Sequence, residues 1–488
     1  MTLAQRAVRG TVFILASSYT NMALGMVYGI VMARLLDPDH FGIFAGAMFF
    51  FTLFDVRGKL GLDYAFTYRQ PTTGQLLATH WVLQTSAAVL TLLVTVAAAA
   101  VVAHLNYPTA TAPIMLAVAG VMIVEAAGTT GRAALEKELV FARSSAVVTA
   151  ALFLSYLTAI GLAARGYGYW ALVGQVAINV ALSSLGFWWA YRVLGQRPSI
   201  RFSFDRAIAG WMLRFGAAMA LGAVATVVLL QFDNFLVLTF VSTAAAGYYV
   251  QAYKVAQWPT GLVTHIVARA SLPTYAKLQD DPVRLGQAFQ MSLWLILIAA
   301  PPLALAIFAS APDFLSLLYG EKWLPSASLL RFLIGYSVLR PLLDDTGALF
   351  TAIGQPRRIT LVLIVQAVTL VAVGTPLTVM YGAMGTALGV GVAFMIGIAL
   401  TYRFVSQVVR VNLFSLFITP LVATLVSAIF GLWLGQLPHL ASWPLLFRVL
   451  AKGGLTASLF VLIMLAMQGR AAVQRVRYVW ALLWKPTG

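Results

Sequence analysis

The sequence contains no cysteine, so disulfides, thiolate nucleophiles and Cys-ligated zinc or iron–sulfur centres are excluded, while the redox compartment stays open. Histidine is scarce as well. Five residues lie scattered over 488 positions without an HExxH pair, which gives a metal site no sequence basis. Charge is the third shortage: charged residues make up 10% and apolar ones 61%, where globular domains run near roughly 25% and 50%. Acid is scarcest, with 15 Asp and Glu against 32 Lys and Arg and a net charge of +17. The basic residues fall in short clusters between apolar runs rather than on one module, so they read as a topology signal and not as a nucleic-acid surface. A chain with so little polar surface is a polytopic membrane protein.

A hydrocarbon core of roughly 30 Å takes about 20 helical residues. That ruler marks fourteen spans, near 11–33, 41–63, 81–104, 113–135, 146–164, 168–190, 215–240, 244–268, 289–310, 326–353, 359–380, 383–403, 414–435 and 446–467. The runs are too long and too apolar for the two-residue alternation of a membrane barrel, so an all-α fold is expected. The first span follows Arg6 and Arg9, exceeds a signal h-region and lacks a convincing cleavage site, so a retained helix is expected. With the N-terminus inside, 24 of the 32 basic residues fall on cytoplasmic segments, and the outer loops hold only Arg34, Arg165 and Lys322. Both termini are therefore expected in the cytoplasm. The tail 470–486, with Tyr478, Trp480 and Trp484 among Arg and Lys, fits an interfacial helix on the inner leaflet.

The longest cytoplasmic link, 191–213, is basic and carries Pro198. A shift of 205 positions lays MARLLDPDHFGIFAGA (32–47) on VLTFVSTAAAGYYVQA (237–252), with Phe41-Gly42 over Ala246-Gly247. The expected architecture is two six-helix bundles, 1–190 and 214–405, joined by the linker 191–213 and followed by a helix pair at 406–468 and a basic tail at 469–488. Six being even, the halves enter the membrane in the same orientation, as a parallel pseudo-twofold repeat around a central cavity suited to alternating access.

Several stretches also carry a family resemblance. MARLLDPDHFG, LEKELVFARSS (135–145), GYGYWALVGQ (166–175), the FDNF helix followed by AAGYYVQAYKVAQWPTGL (245–262), LPTYAKLQDD (272–281) and LLYGEKWLPSASLL (317–330) stand in the order and at the spacing of one family. Together they resemble the polysaccharide transporters, the Wzx-like branch of the multidrug/oligosaccharidyl-lipid/polysaccharide superfamily, from about residue 5 to about 400. Asp37 departs from the glycine the family often has before the proline, which bears on turn shape alone. The resemblance implies a flippase that moves undecaprenyl-pyrophosphate-linked oligosaccharide repeat units from the cytoplasmic to the outer leaflet of a bacterial inner membrane. Exopolysaccharide, O-antigen or capsule assembly would consume the product.

Ionisable side chains in hydrocarbon normally face the bundle interior and pair or contact substrate. Asp233 and Lys254 lie at comparable depth in adjacent spans, either as a structural ion pair or as cavity groups, with Lys254 attracting a pyrophosphate or acidic sugar and Asp233 accepting from sugar hydroxyls or binding a coupling cation. In RPLLDD (340–345), Arg340 and Asp344 stand one turn apart and can neutralise each other, whereas Asp345 needs another partner. Pro341 predicts a bend, since it lacks the N–H that a helix interior uses. Glu125 sits near mid-membrane with no partner within reach in sequence, as a protonatable residue or a packed neutral acid. Arg57 and Lys59, in FDVRGKLGLD (54–63), would meet a pyrophosphate at the cavity mouth or act as ordinary cytoplasmic anchors. Glycines at 25 and 29 and at 385 and 389 have the spacing of close helix packing.

The candidate substrate contacts are thus Arg57, Lys59, Asp233, Lys254 and Arg340, and the candidate groups for proton or sodium coupling are Glu125, Asp233, Asp344 and Asp345. No organic cofactor is expected. Expected partners are the lipid-linked oligosaccharide, membrane lipids and a polymerase or export complex, with no nucleic acid. Two other transport readings share the architecture: a cation-coupled drug or small-molecule exporter and a flippase for a peptidoglycan lipid precursor. A membrane glycosyltransferase or polymerase is disfavoured, because the longest outer segment, 310–326, offers only Asp313 and Glu321 as acids.

Overall fold

The computed structural model describes residues 3–55, 60–105, 107–193, 203–409 and 413–469, and every regular element among them is helical. Nine helical stretches among these residues are long and apolar enough to cross a membrane, and Pro38–Phe54 is a shorter apolar helix. The chain is an all-α polytopic membrane protein. By contacts it divides into two units, residues 1–250 and 251–488.

The first unit contains α1 (Leu3–Leu35), α2 (Pro38–Phe54), α3 (Leu62–Tyr68), α4 (Gly74–His104), α5 (Thr111–Lys137), α6 (Phe141–Ala164), α7 (Tyr169–Arg192) and α8 (Arg206–Phe240), and the start of α9 (Thr243–Ala256). Helix starts are written in the sequence. Thr73 caps α4 by accepting from the Leu76 N–H at 3.1 Å, and Asp205 caps α8 by accepting from Ala207 and Ile208 at 2.8 and 3.0 Å. One apolar core joins α2, α5 and α7 through Phe49, Phe50, Ile114, Met115 and Val180, and takes Phe232 and Phe235 from α8. A second joins α3, α4, α5, α7 and α8 around Phe66, Leu76, Leu135, Tyr191 and Met212.

The second unit contains the rest of α9, then α10 (Trp258–Leu278), α11 (Pro282–Tyr319), α12 (Ser326–Ser337), α13 (Arg340–Ala352), α14 (Pro356–Thr369), α15 (Thr375–Val405), α16 (Leu413–Gly435), the short α17 (Pro438–Ala441) and α18 (Leu445–Gln468). Its main core gathers Tyr275, Phe289, Leu293, Trp294, Leu349 and Phe350, and a smaller one packs Leu305, Ala423, Phe460 and Met464.

The repeat is visible in the backbone. Displaced by 205 positions, the start of α2 at Pro38 falls on the start of α9 at Thr243. Later the displacement is 214: Gly168, before α7, has φ 55° and ψ −130°, and Gly382 has φ 60° and ψ −144°. A side chain is strongly disfavoured in that conformation, so both turns need glycine. Gly382 turns the chain between two helices that run on as α15, and Gly385 and Gly389 then pack against the backbone of Leu377 and Gly374. The second GxxxG is therefore a packing device, as its spacing suggests; of the first, Gly25 lies 3.4 Å (from its would-be Cβ) from the Tyr156 hydroxyl, while Gly29 faces open space.

Three expected spans are broken. The span 41–63 ends as a helix at Phe54, and Asp63 belongs to the separate α3. The span 244–268 divides between α9 and α10 just before Pro259, which occupies the first turn of α10, where a missing N–H costs nothing. The span 326–353 divides between α12 and α13 just before Pro341, in keeping with the bend that proline imposes. Conversely, the span 289–310 extends as α11 to Tyr319, so Asp313 is a buried helical residue and not part of an outer loop. The tail 470–486 lies outside the described residues, as does the middle of the linker, 194–202.

Candidate functional site

Polar groups inside the first unit collect along one strip of α5. Glu125, Thr129, Arg132 and Glu136 succeed one another at intervals of four, three and four residues, which is one helical face. Arg132 Nε donates to Glu136 at 2.8 Å. With Asn179, Ser183 and Ser184 of α7 and Val148 of α6, the first three line a cleft of about 530 Å³ of empty space, part of it open to the outside. Small residues make room for it: a side chain at Gly128 would collide with Ser184. The cleft offers one guanidinium, one carboxylate and several amide and hydroxyl groups, a set that can hold an anionic, hydroxyl-rich molecule. Glu125 thus shares a cleft with Arg132, two turns further along α5.

Next to the strip, α3 is pinned by polar contacts. Asp63 accepts from Gln84 Nε2 at 2.7 Å and pairs with His80 Nε2 at 3.1 Å, while His80 Nδ1 meets the Thr130 hydroxyl at 2.8 Å. His80 is fully buried and Asp63 is 56% exposed. Desolvation pushes the Asp63 carboxyl up, but hydrogen bonds from His80 and Gln84 and the charges of His80 and Arg132 hold it below its ordinary value. At the other end of α3, Lys137 Nζ donates to the carbonyl oxygens of Phe66, at 3.0 Å, and Arg69. Lys137 also lies over the Phe66 ring, 4.8 Å from its centroid. His80, Gln84 and Lys137 carry no local signal in the sequence, standing at i and i+4 on α4 and at the end of α5.

The named candidates fall as follows. Arg57 and Lys59 lie outside the described residues. Asp233 is buried in α8 and accepts from the Asn234 N–H at 2.8 Å and the Tyr249 hydroxyl at 3.1 Å, both within the first unit. Lys254 is exposed near the end of α9 and belongs to the second unit. Arg340 and Asp344 stand one turn apart on α13, where the guanidinium acts on the Asp344 charge, and Asp344 is exposed. Asp345 is buried and finds its partners in hydroxyls: Ser271, and Tyr275 at 2.8 Å. Its partners lie 70 and 74 positions away, which is why the RPLLDD stretch does not show them.

A second buried ionic group pairs charges that are far apart in the sequence. Asp313 of α11 meets Lys452 Nζ at 2.7 Å and Arg448 at 3.3 Å, both from α18. In the sequence these are a lone acid and two lone bases more than 130 positions apart.

Comparisons with known proteins identify the family and the fold separately. Residues 31–328 match the family model described as "Polysaccharide biosynthesis protein". The lipopolysaccharide biosynthesis protein WzxC of Escherichia coli K12 is 25% identical over 358 residues, 72% of this chain and 71% of that one. The succinoglycan biosynthesis transport protein ExoT of Rhizobium meliloti is 24% identical over 295 residues, 60% of this chain and 58% of that one. Among solved structures, the lipid II flippase MurJ in an inward closed conformation superposes with a TM-score of 0.69 at 14% identity, covering 93% of this chain and 99% of its own. An inward-facing MATE-family multidrug resistance transporter gives 0.63 at 17% identity, over 82% of this chain and 98% of its own. These likenesses show that the chain shares the fold of these transporters.

Proposed function

The chain belongs to the polysaccharide biosynthesis protein family, and from that premise we propose that it is a flippase carrying undecaprenyl-pyrophosphate-linked oligosaccharide repeat units from the cytoplasmic to the outer leaflet. The observation that carries this reading is the family match over 31–328, together with relatives named for lipopolysaccharide biosynthesis and succinoglycan transport. A multi-pass fold shared with a lipid II flippase supports it.

Such cargo sets three physical demands. Its polyprenyl chain is apolar and stays in the bilayer, its pyrophosphate needs cations, and its sugars need amide and hydroxyl partners during passage. In this reading Arg57 and Lys59 receive the pyrophosphate at the cytoplasmic mouth, and Asp233, Lys254 and Arg340 contact the glycan or its phosphate. The cleft of Arg132, Asn179 and Ser183 presents the same chemistry. Glu125, Asp233, Asp344 and Asp345 are the carboxylates through which proton or sodium movement would drive the cycle. Catalysis of bond making has no part in the proposal: the protein lowers the barrier to moving a polar headgroup through hydrocarbon. The bacterial inner membrane, with both termini in the cytoplasm, is the location proposed, and a polymerase or export complex receives the product.

Depletion in cells tests the reading. Lipid-linked repeat units are expected to accumulate where an impermeant glycan-modifying enzyme, added from outside, cannot reach them, and wild-type protein relieves the block. Unchanged amount and accessibility of lipid-linked glycan would remove the proposed function.

A further inference from the structure

The ionic group on α18 holds more positive charge than its structural role requires. Asp313 alone is satisfied by Lys452, whose Nζ donates to it at 2.7 Å. Arg448 adds a second cation at 3.3 Å, and Arg331 of α12 a third, whose charge acts on Asp313 through space. Arg331 itself donates to the Phe308 carbonyl at 3.2 Å and lies over the Phe308 ring. Three cations around one carboxylate leave a surplus of two charges. Glu321 and Lys322, in the turn after α11, are one acid and one base and leave that surplus unchanged.

The cluster sits at a close helix junction. Lys452 and Arg448 are one turn apart on α18, and that helix approaches α11 closely because Gly453 faces the Ala306 carbonyl, 3.0 Å from a would-be Cβ. Gly431 of α16 lets Thr456 and Ala309 close the same junction. Surplus cations fixed in a membrane helix bundle are costly without an anion. One donor is already waiting: the Arg448 Nε is buried and has no hydrogen-bond partner.

The surroundings say where the anion comes from. Arg448, with a side chain 26% exposed, stands between Phe447 at 57% and Leu450 at 60% on a helix apolar enough to span. Trp443, half exposed just before α18, has the character of a side chain at the membrane–water boundary. A soluble anion would have to cross that apolar rim, whereas the phosphate of a lipid headgroup lies at that level with its tails against Phe447 and Leu450.

We propose that Arg448, Arg331 and Lys452 form a binding site for the phosphate of an anionic lipid headgroup at the end of the bundle where α11 stops and α18 begins. Arg448 and Arg331 supply the charge that Asp313 does not neutralise, and Lys452 holds Asp313 in place. The occupant is a membrane phospholipid or a polyprenyl phosphate, which share this chemistry.

Delipidated full-length protein, titrated in detergent and followed by native mass spectrometry, decides the matter with four probes: phosphatidylglycerol, undecaprenyl phosphate, diacylglycerol and inorganic phosphate. The phosphate-bearing lipids are expected to be retained and diacylglycerol lost. The Arg331→Gln/Arg448→Gln double variant, which keeps the Asp313–Lys452 pair, should bind them about 25-fold more weakly, from roughly a fivefold factor for each cation at a lipid surface. Should the double variant fail to fold, Arg448→Gln is compared with Arg448→Lys, where the restored charge should recover binding. Preference for phosphatidylglycerol assigns the site to bulk lipid, and preference for undecaprenyl phosphate assigns it to the carrier. Equal retention by wild type and variants, retention of diacylglycerol, or displacement of the lipid by an equal concentration of inorganic phosphate would overturn the proposal.

Discussion

Gly42 packs against Thr243 while Gly247 packs against Pro38, and both pairs close the same contact between α2 and α9. The partners are exchanged by a displacement of 205 positions, since Gly42 maps to Gly247 and Pro38 to Thr243. A contact in which i meets j′ and j meets i′ is what twofold-related copies produce. Each glycine touches a backbone carbonyl, so a methyl group at either site meets atoms that no rotamer can move aside. Gly42→Ala and Gly247→Ala should each lose about 1–3 kcal/mol of stability, the usual cost of overpacking, read as lower melting temperatures in detergent. Unchanged melting would mean the contact gives way freely.

The same contact bridges the starts of the two repeats, and Thr243 donates a hydrogen bond to Asp39 across it. An alternating-access cycle is expected to open it. Because the chain has no cysteine, Asp39→Cys/Thr243→Cys provides a single reversible cross-link without background. Oxidation should stop transport and reductant should restore it. Full transport by the oxidised protein would show that the contact stays closed throughout the cycle.

Much of the fold is legible in the sequence because its cues are local. Apolar run length shows the helices, and Pro341 lies where a span breaks. The glycines of the repeat register stand 205 apart in plain view. The break before Pro259 has local cues too, since Gln251, Lys254 and Gln257 interrupt the apolar run just ahead of the proline. What sequence does not disclose is pairing across the bundle. Asp313 with Lys452 and Asp345 with Tyr275 are separated by 139 and 70 positions, and each looks like a lone charge until the helices pack. Span ends fail for a related reason: α11 runs on through Asp313 since a carboxylate with a buried cation beside it no longer ends an apolar helix.

Asp345 tests how such buried acids are held. Tyr275→Phe removes one of its two hydroxyl donors and leaves a buried carboxylate short of a hydrogen bond, at a cost of about 1–3 kcal/mol in thermal or denaturant unfolding. In an Asp345→Asn background the same change should cost less, because a charged acceptor makes the stronger bond. Equal costs in both backgrounds would show that Tyr275 does not depend on the charge of Asp345.

Asp63 predicts a pH dependence. Its carboxyl is held below the ordinary value of 3.8 by His80 and Gln84 in the folded protein. A depressed folded value means that the unfolded chain takes up the proton first, so the contribution is fully present above 3.8 and is lost as pH falls through the folded value. Melting temperatures measured across the acid range should therefore fall less steeply for Asp63→Asn than for wild type. Parallel curves would contradict the assignment.

The most direct test of the account is translocation by the purified protein alone. Proteoliposomes loaded with fluorescent undecaprenyl-pyrophosphate oligosaccharide are treated with an external glycosidase that cannot cross the membrane. Without protein, only the outer-leaflet portion should be cleaved; with it, the protected portion should become accessible over time, and the Arg57→Ala and Asp233→Asn variants should slow that exchange. A protected fraction that persists in the presence of folded wild-type protein, with and without an imposed proton or sodium gradient, would contradict the flippase assignment.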